Sequence, residues 1–121
     1  LIHFLKKNEK QNKSYASLIE TKDSKKAILS YKLICSSDKY HLLEIELETG
    51  RHHQIRCQLA TIGCIIKGDL KYGAKRSNKD GSIHLHARHL EFNHPTTKEL
   101  ISVTAPVPNE PLWQYFETEC N

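Results

Sequence analysis

The chain has 121 residues, 38% hydrophobic and 26% charged, with a formal charge of +4 and eight histidines besides. That suffices for one domain with one core. It excludes a disordered tract and a membrane-embedded chain, because no apolar run approaches the roughly 20 residues of a spanning helix. The modest basic excess suits a phosphate-backbone partner without requiring one.

The chain opens on Leu1 and contains no Met. No basic-then-apolar leader is present, so the sequence reads as a piece of a longer protein rather than a processed one. Residues 6–14 are polar without apolar period and are expected to form an exposed loop. Residues 27–35 are rich in strand formers. Ser36-Ser37-Asp38-Lys39 supplies turn chemistry. Residues 40–48 alternate, with Leu43, Ile45 and Leu47 on one face and Glu44, Glu46 and Glu48 on the other. The pattern is that of a half-buried strand, so 27–48 is predicted to be an antiparallel hairpin.

After Gly50 the period changes. Ile55, Leu59 and Ile62 fall at i, i+4 and i+7, one helical stripe, with Gly63 where a helix ends. A short helix is predicted over 51–62. Residues 67–82 form a basic loop carrying Lys67, Lys71, Lys75, Arg76 and Lys79. Residues 83–93 and 100–104 are predicted as a second hairpin that Pro106 and Pro108 stop. Residues 110–119 suggest a terminal helix with Leu112, Tyr115 and Phe116 inward. The expected class is α+β.

The densest polar run is Thr49-Gly50-Arg51-His52-His53-Gln54-Ile55-Arg56, at a strand-to-helix junction. A helix start offers unpaired N–H donors and the positive dipole end. Gly50 permits close approach to the backbone, and Arg51 and Arg56 add bidentate forks for carboxylate or phosphate. Two cations there oppose the dipole, a conflict that points to function. The competing reading is a solvated helix face, with Arg ion-paired to Glu44, Glu46 and Glu48.

Three other features invite a chemical reading. His84 and His86 share a strand face, as zinc ligands do, but no Cys or carboxylate completes a known spacing. Cys57 and His53 stand at i, i+4, yet Cys57 adjoins the buried stripe, where thiols act as small apolar fillers. Asp69, among Lys67, Lys71 and Lys75, reads as a turn residue ion-paired to those lysines. Cys35, Cys57, Cys64 and Cys120 form no CxxC pair, which suggests free thiols in a reducing compartment.

One ordered run carries a resemblance. Residues 49–56, then Gln58-Leu59-Ala60, then Ile62-Gly63-Cys64-Ile65-Ile66-Lys67-Gly68-Asp69-Leu70-Lys71-Tyr72-Gly73 resemble the GR-x-HQIR … LA-x-x-G-x-PI-x-GD-x-x-YG signature of the RluA-type pseudouridine synthases. Leu85-His86-Ala87 with Leu90, Phe92, His94 and Pro95, and Ala105-Pro106-Val107-Pro108, resemble that family's LHA-x-x-L-x-F-x-HP element and closing APxP. The usual His-Pro before Ile66 is Cys64-Ile65 here.

The resemblance implies isomerisation of uridine to pseudouridine in ribosomal or transfer RNA, with no cofactor, no metal and no membrane, in the cytoplasm. It implies that residues 1–121 are the C-terminal part of the catalytic domain. The family's catalytic Asp lies upstream, in an HRLD-type motif that this sequence does not contain, so the chain alone is expected to be inactive and to need that N-terminal half as its partner. Carried over by position, Arg56 matches the Arg that pairs with the Asp. His53 and Gln54 support the cleft, Leu85 lies in the element that walls the uridine pocket, and Arg51, Lys67 and Lys71 are expected RNA contacts. The alternatives are a truncated relative that only binds RNA and a small metal module using His84 and His86.

Overall fold

Four antiparallel strands frame the first part of the chain: β1 (Ile2–Asn8), β2 (Lys13–Ser17), β3 (Lys25–Ser36) and β4 (His41–Leu47), in the spatial order β2-β1-β3-β4. The computed structural model describes residues 1–119 and divides into two units, one spanning Leu1–His84 and one beginning at Leu85.

The hairpin predicted over 27–48 is present as β3 and β4. Leu29↔Leu47, Tyr31↔Ile45 and Leu33↔Leu43 share one face; Ser30↔Glu46 and Lys32↔Glu44 share the other. Opposed charges across the ladder add to its stability. The loop expected over residues 6–14 is not a loop. It is the second half of β1, a turn and the start of β2, paired from Phe4↔Ser17 to Asn8↔Lys13. The turn closes locally: Asn8 Oδ1 accepts the Gln11 N–H at 3.2 Å, and Asn12 adopts φ 48°, a conformation that Asn tolerates. The side chains here are polar because they are exposed, and polarity masked the ladder.

Helix α1 (Gln54–Thr61) starts three residues later than predicted, because His53 before it is left-handed (φ 51°). It ends as expected. Gly63, at φ 86°, donates to Ala60 O at 3.0 Å, and Cys64 N–H to Leu59 O at 2.8 Å, the paired bonds of a Schellman ending. The buried face differs from the predicted Ile55/Leu59/Ile62 stripe. It comprises Gln54, Cys57, Gln58 and Leu59, while Ile62 is exposed. The two amides go inward because the sheet presents polar groups to them. Gln58 Nε2 donates to His3 Nδ1 (2.9 Å) and Ala27 O (3.3 Å), and Gln54 Nε2 donates to Ile28 O (3.1 Å). Around them Leu5, Ala27, Cys57 and Tyr72 form the core, with Ala16 and Ala60 packed against it. Cys57 and Cys64 are free thiols. Cys35 is disulfide-bonded, so the expectation of free thiols fails there; Cys120 lies outside the described residues.

The second unit is a hairpin, β5 (His89–Asn93) with β6 (Leu100–Thr104), followed by α2 (Pro111–Glu119). The predicted strand over 83–93 is shorter at its start. His89 pairs with Thr104, and Pro106, two residues past Thr104, cannot extend the ladder. The Glu110 carboxylate caps α2 by accepting the Leu112 and Trp113 N–H groups at 3.2 and 3.1 Å. Phe116 is the buried residue of its stripe. The whole is α+β, as expected.

Two glycines separate backbone strain from crowding. A Cβ on Gly63 would meet nothing within 4 Å, whereas one on Gly68 (φ 87°) would lie 2.8 Å from Ser82 O. Gly63→Ala should cost about 1 kcal/mol, the left-handed penalty alone. Gly68→Ala should cost at least twice that in chemical denaturation; equal losses would contradict the geometry.

Candidate functional site

The centre of the first unit's polar chemistry is a guanidinium bound side-on to a buried carboxylate. Arg56 projects from the first turn of α1. Asp69 precedes a single 3₁₀ turn (Leu70–Tyr72) and is 1% exposed. Its backbone is pinned: Asp69 N–H donates to Ile66 O, and Asp69 O accepts from Tyr72 and Ala74 N–H. Arg56 Nε donates to Asp69 Oδ2 at 2.9 Å and Nη2 to Oδ1 at 2.7 Å, the two-point geometry that favours Arg over Lys. The Arg56 guanidinium is pushed above its ordinary pKa, first by the hydrogen bond to Asp69.

A third bond fixes the plane. Arg56 Nη1 lies 3.1 Å from His53 Nε2. A guanidinium only donates, so Nε2 must accept and His53 must carry its proton on Nδ1. That proton points at Tyr72 Oη, 2.8 Å away, which also accepts the Ser14 N–H at 2.9 Å. Arg56 sits over the Tyr72 ring, 5.0 Å from its centroid. Burial, then the Arg56 charge, lowers the His53 pKa to about 4, consistent with the neutral tautomer the hydrogen bonds demand. His52 stacks on His53, ring centroids 3.8 Å apart, and its own pKa is lowered by burial and then by Lys7.

Of the five N–H donors of Arg56, three are engaged: Nε, one on Nη1 and one on Nη2. One donor on each terminal nitrogen remains without an acceptor among the described residues, and the side chain is 21% exposed. The group is therefore held rigidly from behind while keeping donors for a further anion.

The structure gathers some predicted residues here and not others. His53 and Arg56 are in contact. Gln54 is buried beside them; its Oε1 accepts the Arg51 N–H (2.9 Å) and the Thr49 hydroxyl (2.8 Å), occupying donors that an anion at this junction was expected to use. Arg51 points elsewhere, its Nε donating to Lys26 O at 2.9 Å. Lys67 reaches Asn78 Oδ1 at 2.7 Å, and Lys71 reaches Gln11 O and Asn12 O at 3.2 and 3.1 Å. Leu85 opens the second unit, partly exposed. Neither Arg51 nor Arg56 pairs with Glu44, Glu46 or Glu48; the carboxylate that Arg56 holds is Asp69, which also corrects the reading of Asp69 as a partner of the neighbouring lysines. Cys57 faces inward, its thiol donating to Ser14 O and pushed up by burial, the behaviour of a filler. His84 Nδ1 contacts Asn78 Nδ2. Sequence reasoning missed Asp69 and Tyr72; the available signal was that a Gly-Asp turn thirteen residues after Arg56 supplies a carboxylate near that cation.

The sequence profile of the RNA pseudouridylate synthase family matches residues 2–61, and proteins similar to this chain support the resemblance to its RluA type. Among similar proteins is the uncharacterized RNA pseudouridine synthase YlyB of Bacillus subtilis, 36% identical over 84% of this chain and 33% of its own length. Others are the ribosomal large subunit pseudouridine synthase D of Zymomonas mobilis, 29% identical over 82% of this chain and 34% of its own length, and the tRNA pseudouridine synthase C of Yersinia pestis, 40% identical over 55% and 29%. The chain spans about a third of the length of these relatives. No helix among the described residues is long and apolar enough to cross a membrane.

The arginine centre has a pH signature. The His53 pKa in the folded chain lies below the ordinary 6.5, so the unfolded chain takes up that proton first. The stability His53 contributes is complete above pH 6.5 and is lost as the pH falls from there toward 4. An NMR titration should find His53 neutral at pH 5.5, with Nδ1 protonated. A His53 titrating at 6.5 would mean that the Arg56–His53 contact does not form.

Proposed function

We propose that this chain is the C-terminal part of the catalytic domain of an RNA pseudouridine synthase acting on ribosomal or transfer RNA, and that Arg56 holds the reaction's catalytic carboxylate. The observation that carries the reading is the pair of unused donors on an Arg56 already clamped by Asp69 and His53. A second carboxylate meeting those donors would be kept ionised by the guanidinium and oriented without any rearrangement, since Arg56 is fixed beforehand. In the family that carboxylate belongs to an Asp upstream of the region this chain resembles.

Isomerisation of uridine moves a bond within one nucleotide and consumes no second substrate, so no cofactor is needed. The enzyme must extract the nucleotide from its stack and receive it in an apolar-walled pocket; Leu85 is the residue carried over to such a wall. Lys67 and Lys71 follow the RNA backbone, and the site of action is the cytoplasm. Within the chain Arg56 is a charged anchor, His53 and Asp69 are its positioning residues, and Gln54 ties the helix start to the sheet.

The test uses the complete gene product and a transcript carrying the target uridine. Arg56→Lys keeps the charge but cannot hold two carboxylates at once. It should lower turnover by about two orders of magnitude, the scale for removing one preorganised donor, with RNA affinity changed less than threefold. Turnover within a factor of three of wild type would refute the assignment.

A further inference from the structure

On the other side of the stacked histidines lies a basic groove of about 500 Å³ that the arginine centre does not use. Strand register builds one wall. In antiparallel pairing, partners share a face: Leu5 faces Lys25 and Lys7 faces Ser14. The turn before α1, Gly50 to His52, supplies the opposite wall. The lining includes Lys7, Lys25 and Arg51 against two acidic residues, Glu9 and Asp23; the Lys6 side chain, next to Lys7 in the strand, belongs to the opposite face. Glu9 is itself held by Lys7 at 3.4 Å. Arg51 spends only Nε, on Lys26 O, and both terminal amino groups remain without a partner among the described residues. After burial, Lys7 is the largest influence lowering the pKa of His52, ahead of Glu9, which raises it. Gly50 leaves an opening, because a Cβ there would meet nothing within 4 Å.

We propose that this groove is a phosphate clamp for the RNA strand flanking the target nucleotide, with Arg51 as its fork and Lys7 and Lys25 as its flanking charges. Two properties favour a polynucleotide backbone. The donors are one bidentate fork and several point charges, with no Phe, Tyr or Trp in the lining, chemistry that recognises a phosphate and ignores the base. The groove also shares its boundary with the arginine centre: His52 lines the groove while His53, stacked upon it, grips Arg56. A nucleotide presented to Arg56 therefore carries its neighbouring backbone toward Arg51. The inference rests on the proposed RNA substrate, but its test reads binding and not isomerisation.

The test is a salt titration of binding to a fluorescent single-stranded RNA, using the full chain. Each phosphate that the protein no longer neutralises lowers the slope of log affinity against log salt by about 0.7. The Lys7→Gln/Lys25→Gln double variant and Arg51→Gln should each flatten the slope by about that amount or more and weaken binding several-fold, while Lys39→Gln, in the β3–β4 turn, should leave the slope unchanged. Gly50→Leu removes no charge, requires no unusual backbone and fills the opening, and it should weaken binding as well. Groove variants that bind RNA with the wild-type slope would overturn the clamp while leaving the RNA substrate standing. A wild-type chain that does not bind RNA would overturn both. Competition by polyglutamate as effective as that by RNA would overturn the assignment to phosphate.

Discussion

The two-point bond between Arg56 and Asp69 is the constraint on which the rest of the first unit depends. A carboxylate 1% exposed is costly to bury unless a cation and hydrogen bonds replace its water. Arg56 supplies both, and the requirement propagates outward. Asp69 must be presented on a pinned turn, which needs the left-handed Gly68 before it. Arg56 must leave its helix at the first turn, which needs α1 to start at Gln54. Tyr72 must return beneath the guanidinium, and its hydroxyl then ties the cluster to β2 through the Ser14 N–H. One ion pair thus joins a helix, a 3₁₀ turn and a sheet edge.

That arrangement dictates the protonation of its neighbours. Cations crowd this end of the helix, where the dipole is already positive, and only Asp69 answers them within the cluster. Both imidazoles are made harder to protonate: burial and then the Arg56 charge lower the His53 pKa, and burial and then the Lys7 charge lower that of His52. His53 also holds a left-handed backbone, unusual for a residue with a side chain. Strain of that kind persists where surrounding contacts over-determine it, and here the contacts are Arg56 on one ring nitrogen and Tyr72 on the other.

Much of the frame is legible because it follows local patterning. The alternation of Leu43, Ile45 and Leu47 with three glutamates marks β4, and Gly63 marks the end of α1, since each depends on nearest neighbours in the chain. The misreadings share a different cause. The β1–β2 hairpin hides behind Lys6, Lys7 and Asn8, whose exposed side chains say nothing of the backbone ladder beneath. The inward face of α1 carries Gln54 and Gln58 because the Ile28 and Ala27 carbonyls and His3 lie opposite, a tertiary fact that apolar periodicity cannot encode. Asp69 reads as a partner of lysines adjacent in sequence, while its actual partner lies thirteen residues upstream across a helix. Arg56 is legible as a two-point fork from its place at the helix start; the structure adds the carboxylate it meets within the chain, Asp69.

The functional account turns on that distinction. An arginine that merely neutralised Asp69 would be structural. An arginine anchored by Asp69 and His53, with donors to spare at a 21% exposed edge, is suited to receive a second anion, the role proposed for it. Both roles require the ion pair to be energetically coupled and not simply adjacent. A double-mutant cycle on Arg56→Met and Asp69→Asn, followed by chemical denaturation, measures that coupling directly. The account predicts a coupling of about 2 kcal/mol or more, the upper part of the range for contacting residues, with the double variant far more stable than the two single losses together imply. Losses that add to within about 0.5 kcal/mol, as for independent sites, would contradict it.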